Sequence, residues 1–389
     1  MKWRLEIYGR LKSGGRWSGP LLHLIVVLAC SLAVQARAAD DSAVDLDPGE
    51  DKPSIPASIQ KGSWVAAPIP ISNPTVGTGL QGVLLYLHPK ADKASNIPNT
   101  TSGLGGMYTD NKSWAVGAFH DGNWADDTYR YRVFMGAGDF NLKFYGIGDD
   151  PIFSDNPISY RMRVEGMGGR LLRRLPGTQH WYAGVEYLFS STELIFSPSN
   201  LNLDLPDLAA TIRAAGLGLV ASYDSTDDNY YPQHGRLFQL KWTDYGKHWG
   251  GDFEYAKLST FYNHYLPLWS DTTLALRANL QTSSGDTPYF ALPYLDMRGF
   301  ARDRYRDINT FSLHAEARHK FSSRWGFVLF TASGWHAEEM SRLVKGDAVT
   351  SYGVGLRWQV ATDKKMHLGV DIAFNKGENV TYVRLGEKF

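Results

Sequence analysis

Hydrophobic and polar residues alternate along most of this chain with a period of two. In 311–321, Phe311, Leu313, Ala315, Ala317 and Phe321 share one side, while Ser312, His314, Glu316, Arg318 and Lys320 share the other. The pattern returns in 272–282, where Leu274, Leu276, Ala278 and Leu280 oppose Ala275, Arg277, Asn279 and Gln281. In 352–360 the polar side carries Gly353, Gly355, Arg357 and Gln359, and in 366–374 it carries His367, Gly369, Asp371 and Ala373. Successive side chains point to opposite faces of a strand, so each segment predicts a β-strand with one apolar and one polar face. Gly, Asn, Asp and Pro turns separate the segments and none has a convincing helical period, so the chain reads as all-β.

A soluble sandwich would also alternate. Here the polar face of 311–321 carries His314, Glu316, Arg318 and Lys320 along its length, and aromatic residues such as Trp242, Tyr245, Trp325 and Trp335 fall near strand ends. Both features fit a transmembrane antiparallel barrel, apolar outside, polar inside and girdled by rings at the two interfaces. Counting back from Phe389 predicts strands near 380–389, 366–376, 350–360, 324–336, 311–322, 272–283, 253–268, 236–246 and 211–224. Earlier ones are expected near 180–197, 158–174, 141–148, 127–139, 113–122, 102–110 and 76–88. The total is about sixteen, an even number, which puts both ends of the barrel in the periplasm.

The first residues define the compartment. Five Lys or Arg precede an apolar stretch, Leu21–Val34, followed by Ala36-Arg37-Ala38, the pattern of a cleaved secretory signal over 1–38 and of Sec-dependent export. The stretch is too short to span a membrane as a helix. Residues 39–62 are acidic and contain proline without apolar periodicity, which reads as a disordered leader before a barrel over 63–389. Cys30, the only cysteine, lies inside the signal, so the mature chain is expected to carry neither thiol nor disulfide. Removing 1–38, with six Lys/Arg and one Glu, leaves 34 basic against 39 acidic residues, a balance that argues against nucleic acid as a partner.

Candidate chemistry is sparse. Gly77, Gly79 and Gly82 match a dinucleotide fingerprint by letters, but a strand pattern follows where that motif needs a helix. No Gly-x-Ser-x-Gly elbow, His-Glu-x-x-His or paired-cysteine motif occurs, and His336-Ala337-Glu338-Glu339 reads as the start of a loop. No metal, cofactor or enzymatic activity is expected, although a spatial triad leaves little sequence trace. One segment stands apart: Tyr294–Asp307, YLDMRGFARDRYRD, packs four Arg and three Asp into a long connection between the eleventh and twelfth strands.

Within it, Met297-Arg298-Gly299-Phe300 resembles the Arg-Gly-aromatic tip of the sixth extracellular loop in BamA/TamA-like outer-membrane assembly barrels, the bacterial surface antigen family. YDSTDDNYYPQHG (Tyr223–Gly235) resembles that family's Tyr-Asp-x-x-Asp to Pro-x-x-Gly turn, FYGIGDD (Phe144–Asp150) occurs in its shorter members, and HAEAR (His314–Arg318) stands where the family has a lumen-facing Glu. The terminal Phe389, with Leu385, Val383 and Thr381 on its side of the strand, is similar to the recognition signal at the end of such barrels. Glu387 departs by placing a charge on that side.

The resemblance implies that loop 6 folds into the lumen and that wall carboxylates hold Arg298. Parity nominates Glu316, with Asp224 and Asp371 in reserve; Ala332 stands where the family's usual second Asp is missing. Arg302, Asp303, Arg304, Arg306 and Asp307 are expected to pair among themselves. The family also carries periplasmic POTRA modules, for which no room is expected between a cleaved signal and the first strand. Two function classes stay open. One is insertion or export of proteins or lipids through a seam between first and last strands, weakened by Gly77, Gly79 and Gly82; the other is a plugged barrel or narrow pore with a passive or surface role. The expected partners are the bilayer with its lipopolysaccharide, the outer-membrane assembly machinery during the chain's own insertion, and an unidentified periplasmic protein.

Overall fold

The computed structural model describes residues 62–389 apart from 90–99, 149–152, 154, 197–207, 229–230, 362–365 and 378. The expected signal, Cys30 and all but the last residue of the expected leader lie outside the described residues.

Sixteen antiparallel strands close into one barrel, each paired with its neighbours in sequence and β1 meeting β16. They are β1 (Ser63–Asn73), β2 (Gly77–Leu87), β3 (Thr101–Thr109), β4 (Trp114–Trp124), β5 (Tyr129–Phe144), β6 (Ile158–Arg174), β7 (Trp181–Phe196) and β8 (Leu208–Asp224). The second half comprises β9 (Gly235–Tyr245), β10 (Tyr255–Trp269), β11 (Thr272–Gly285), β12 (Asn309–Lys320), β13 (Trp325–Ala337), β14 (Val349–Ala361), β15 (Met366–Phe374) and β16 (Asn379–Leu385). β1 starts and β16 ends at one rim, the terminal rim; the connection between β11 and β12 lies at the other, the distal rim.

The alternation read from sequence is the inside–outside alternation of the wall. On β13, Phe327 and Leu329 are exposed while Val328, Phe330 and Ala332 are buried; on β12, Leu313 is exposed while Ser312, His314, Glu316 and Arg318 are buried. Trp64, Trp124, Trp325 and Trp358 ring the outer wall near the terminal rim, and Tyr108, Trp114 and Tyr352 ring it near the distal rim. That distribution is the one a bilayer requires: a hydrocarbon-facing band between two interfacial girdles.

The count of sixteen conceals two offsetting differences. The strands expected at 127–139 and 141–148 are the single strand β5, which runs through Asp139 because Arg161 and Arg163 of β6 hold its carboxylate at 2.5 and 3.2 Å. The first strand is 63–73, not 76–88. Pro68 and Pro70 masked it, since proline cannot donate to a ladder and survives in strands only where a neighbour's hydrogen bonds are dispensable.

The pairing of β1 explains that tolerance. Its ladder with β2 runs unbroken from Ser63–Leu87 to Asn73–Gly77. With β16 it pairs, among the described residues, at one position, Ser72 opposite Val383, supported by the Ser72 hydroxyl donating to the Thr381 carbonyl at 3.2 Å. Every other junction is a ladder of many successive pairs, interrupted only by irregularities at Pro267–Trp269 and Gln359–Ala361 among the described residues; β15 and β16 pair from Leu368–Leu385 to Phe374–Asn379. Alternate residues of a strand offer their N–H groups to the same edge, so prolines two apart deplete one edge, and the intact ladder to β2 leaves the β16 edge as the depleted one.

Gly77, Gly79 and Gly82 therefore lie on β2 and not on the seam. Gly77 (φ +84°) opens the turn from β1, where an added Cβ would lie 2.1 Å from the Asp110 carboxylate. At Gly79 a Cβ would lie 2.1 Å from the Tyr108 carbonyl oxygen of β3, whereas Gly82 has open space around it.

Directly opposed residues fall within disulfide reach. In a Ser72→Cys/Val383→Cys variant the pair is expected to oxidise and raise the barrel's unfolding temperature, read as heat-induced band shift in detergent, by an amount corresponding to about 2–4 kcal/mol; reduction should return it to the wild-type value.

Candidate functional site

The connection from β11 to β12 returns to the barrel as a short hairpin. A 3-10 turn, Tyr289–Ala291, leads into an arm in which Tyr294 bridges Arg306 and the Leu295 N–H donates to the Tyr305 carbonyl at 3.0 Å. Arg306, itself buried, fastens the base: Nη1 donates to the Phe290 and Leu292 carbonyls, both at 3.1 Å, and Nη2 to Asp303 at 2.5 Å. Burial works against the Arg306 charge, but the adjoining Asp303 carboxylate more than offsets it and the pKa rises.

Other charges of the knot reach beyond it. Asp307 meets His336, a residue of β13 and not of a loop, at 3.1 Å. Arg304 approaches Asp155 in the connection after β5 and lies over the Tyr145 ring, while Arg302 lies over Tyr294 at 4.3 Å.

The tip, Arg298–Phe300, meets residues that the alternation turns inward. Arg298 Nη2 donates to Glu316 Oε2 on β12 at 2.5 Å, and Nη1 to Asp371 Oδ2 on β15 at 2.9 Å. Its guanidinium lies 3.4 Å over the Phe330 ring of β13. The side chains of Glu316 and Asp371 are 0% exposed and that of Arg298 5%. A charge so enclosed is tolerable only if paired and hydrogen-bonded, and the network extends to provide this. Glu316 also accepts from Arg318 Nε at 2.7 Å, and Asp371 from Arg357 Nη1 at 2.5 Å with Arg384 at 3.4 Å.

Gly299 (φ +100°) occupies left-handed backbone, where a Cβ would also come within 3.2 Å of Ser351. Its N–H donates to the Tyr382 hydroxyl of β16 at 2.8 Å, and Asn375 donates to its carbonyl at 2.5 Å. Three residues further, the Arg302 N–H donates to Thr75, between β1 and β2, at 2.8 Å. One hairpin tip therefore touches both banks of the β1–β16 junction.

Asp371, expected as a reserve, stands beside Glu316 as a direct partner, so Glu316 does not act alone. The place of the absent carboxylate on β13 is apolar: Ala332 packs with Leu295 and Met297 of the loop. Asp224 is not brought to Arg298; it accepts from the Thr226 N–H at 3.1 Å and from the Thr226 hydroxyl at 2.7 Å in its own turn.

The chain end departs most from expectation. β16 stops at Leu385, Gly386 (φ +84°) redirects the backbone, and Glu387, Lys388 and Phe389 turn inward. The terminal strand therefore does not carry Phe389 on its lipid face: the ring is buried with Tyr265 and Ala275, and Arg318 donates to its main-chain oxygen. Glu387, no longer a charge on an apolar face, accepts from Arg357 Nε at 2.8 Å. Lys388 reaches Asp296 of the loop at 2.6 Å.

At the same rim Tyr231, from the turn after β8, is buried with its ring 4.6 Å from that of His367 and near Arg318. Burial, reinforced by the Glu387 charge, pushes its phenol up to about 12. Sequence reasoning missed this turn as an interior element; the signal available was a Tyr-Pro pair in an otherwise polar segment.

The sequence profile of the Omp85 superfamily domain matches residues 119–387. Among solved structures, BamA from Haemophilus ducreyi lacking POTRA domains 1-3 aligns with a TM-score of 0.57 at 14% identity, covering 84% of this chain and 70% of that one. CdiB from Escherichia coli aligns at 0.57 and 11% identity, covering 90% and 68%; CdiB from Acinetobacter baumannii aligns at 0.53 and 12%, covering 84% and 60%. At such identities the likeness is one of fold. No curated protein sequence matches the chain.

Two outcomes test the site. Glu316→Gln removes one carboxylate from an enclosed pair and is expected to cost about 3–5 kcal/mol and to expose 286–308 to protease; unchanged protection in Glu316→Gln alongside lost protection in Arg298→Ala would break the pairing. A folded-state phenol pKa above its unfolded value near 10 stabilises below about pH 10 and loses that contribution as pH rises towards about 12. The turn around Tyr231 should therefore stay packed to about pH 10 and loosen above it, followed by tyrosinate absorbance against a Tyr231→Phe control.

Proposed function

The chain belongs to the Omp85 superfamily, and from that premise we propose that this outer-membrane barrel assists insertion or export of proteins or lipids through the junction of β1 with β16. The observation that carries the reading is that, among the described residues, those strands pair at a single position. Pro68 and Pro70, not the glycines of β2, supply the chemical reason: the β1 edge facing β16 lacks donors at alternate residues. A seam so poorly bonded can exchange its partner for an incoming strand at little cost, because the ladder that must be broken is short.

The loop tip acts as the clasp. It joins Tyr382 and Asn375 on one bank to Thr75 on the other, and it is anchored by Arg298 between Glu316 and Asp371. Releasing the tip would free both banks together. Nothing in this sequence of events calls for a catalytic side chain, cofactor or metal. The ends of β1 and β16 face the periplasm, the bilayer and its lipopolysaccharide surround the wall, and the chain depends on the outer-membrane assembly machinery for its own insertion, with Phe389 contributing to recognition before folding. A separate periplasmic protein delivers clients to the terminal rim.

A second reading has its own observation: loop 286–308 occupies the interior from the distal rim, and Tyr231 and Phe389 occupy it from the terminal rim. That arrangement supports a plugged barrel with a passive or surface role.

Deleting the gene and restoring it as wild type or as Arg298→Ala separates the two. Loss of a defined protein or lipid from the outer membrane, restored by wild type alone, is the outcome expected of a clasped seam. Unchanged protein and lipid inventories, with stable conductance of the purified barrel independent of any client, would replace it with the plugged barrel.

A further inference from the structure

The outer wall carries a polar relay where apolar side chains are the rule. At the terminal rim, the His88 Nε2 lies 2.9 Å from Ser102 Oγ, which lies 2.8 Å from His120 Nδ1; His120 Nε2 lies 2.9 Å from the Tyr131 hydroxyl. The four residues come from the end of β2 and from β3, β4 and β5. Their parity is that of the exposed Leu84, Leu104 and Val133, so the relay faces outward and not into the barrel. The rings of Tyr86, His88, His120 and Tyr131 succeed one another with centroids 4.8, 5.4 and 5.6 Å apart, flanked by Trp64 and Trp124.

Glycine makes room for the arrangement. Gly122 sits between His120 and Trp124 on the same face of β4, and a Cβ there would lie 2.4 Å from the Tyr131 hydroxyl oxygen. Any other residue would displace the phenol from His120.

We propose that Ser102 is the nucleophile of an acyl-ester hydrolase site whose substrates are glycerophospholipids of the leaflet beside this rim, a site separate from the seam and clasp and resting on the membrane placement given above. A serine becomes reactive when an adjacent base takes its proton and a third group fixes the base's tautomer. Here His120 Nδ1 is the base, and Tyr131, accepting from His120 Nε2–H, is the positioning residue. His88 Nε2–H, on the other side of Oγ, is the donor for the oxygen that becomes anionic.

As Oγ bonds to the ester carbonyl carbon, its proton passes to His120 Nδ1 and the carbonyl oxygen takes up negative charge beside His88. Collapse breaks the bond from the carbonyl carbon to the glycerol oxygen, which leaves with the proton from His120. Water then attacks the acyl-serine, giving its proton to His120, and the fatty acid departs as Ser102 is regenerated. The other product is a lysophospholipid. No linear motif announces this chemistry, because residues 88, 102, 120 and 131 meet only through cross-strand register.

The test uses the full-length barrel, folded in detergent and in phosphatidylethanolamine vesicles, with heat-induced band shift as the folding check. A fluorophosphonate probe should label Ser102 in wild type and not in Ser102→Ala, and labelling should fall about 100-fold or more in His120→Asn. Lysophospholipid release from the vesicles should fall in parallel. Tyr131→Phe should keep a slower activity with a displaced pH profile, and Gly122→Ala should behave like it. No labelling of folded wild type, or labelling indifferent to His120, would overturn the nucleophile. Labelling in detergent without lysophospholipid release would overturn the lipid substrate, and labelling by a chain that does not insert into vesicles would overturn the membrane placement while leaving the nucleophile standing.

Discussion

The interior depends on one guanidinium. Arg298 stands enclosed between Glu316 and Asp371 and against the face of Phe330. Removing any of these charges from water costs several kcal/mol, so none is tolerable alone and each recruits the next. Glu316 takes Arg318, Asp371 takes Arg357 and Arg384, and Arg357 takes Glu387. The chain of obligations fixes the loop, four strands and the residues after β16 in one arrangement. Such a network is weak evidence of net stability and strong evidence of specificity, because any alternative packing strands a charge.

Much of this was legible. Parity on β12 placed Glu316 inside, and the resemblance of Met297–Phe300 to a known loop tip named its partner. Parity assigns a face, however, and not a bearing around the barrel. Asp224 and Asp371 both point inward, yet only Asp371 is close to Arg298, a distinction that depends on which strands lie beneath the tip. The same gap hid Ser102, whose neighbours are defined by register between strands joined through turns that a linear pattern does not measure.

Other differences arose from residues that ordinarily signal one structure and here serve another. The strand 63–73 was not expected because it holds Pro68 and Pro70, which a fully bonded strand excludes; they persist in β1 because its β16 edge is almost unbonded. Phe389 read as a lipid-facing terminus because the alternation of β16 extends naturally through it. A single glycine, Gly386, ends that alternation and turns the ring towards Tyr265 and Ala275. Where the interior must neutralise Arg318 and Arg357, the last residues are drawn to the charges and away from the wall.

Strand length varies around the wall: β5 to β8 have 16, 17, 16 and 17 residues, whereas β1 has 11, β15 has 9 and β16 has 7. At about 3.4 Å per residue and a tilt near 40°, a seven-residue strand spans roughly 18 Å along the membrane normal, short of the roughly 25 Å apolar band of such barrels. Lipid bordering β16 must shorten to meet it, and each ångström of mismatch stores a fraction of a kcal/mol in the bilayer. The barrel is thus a wedge in hydrophobic height, and the membrane is thinnest beside the junction where the wall is least bonded.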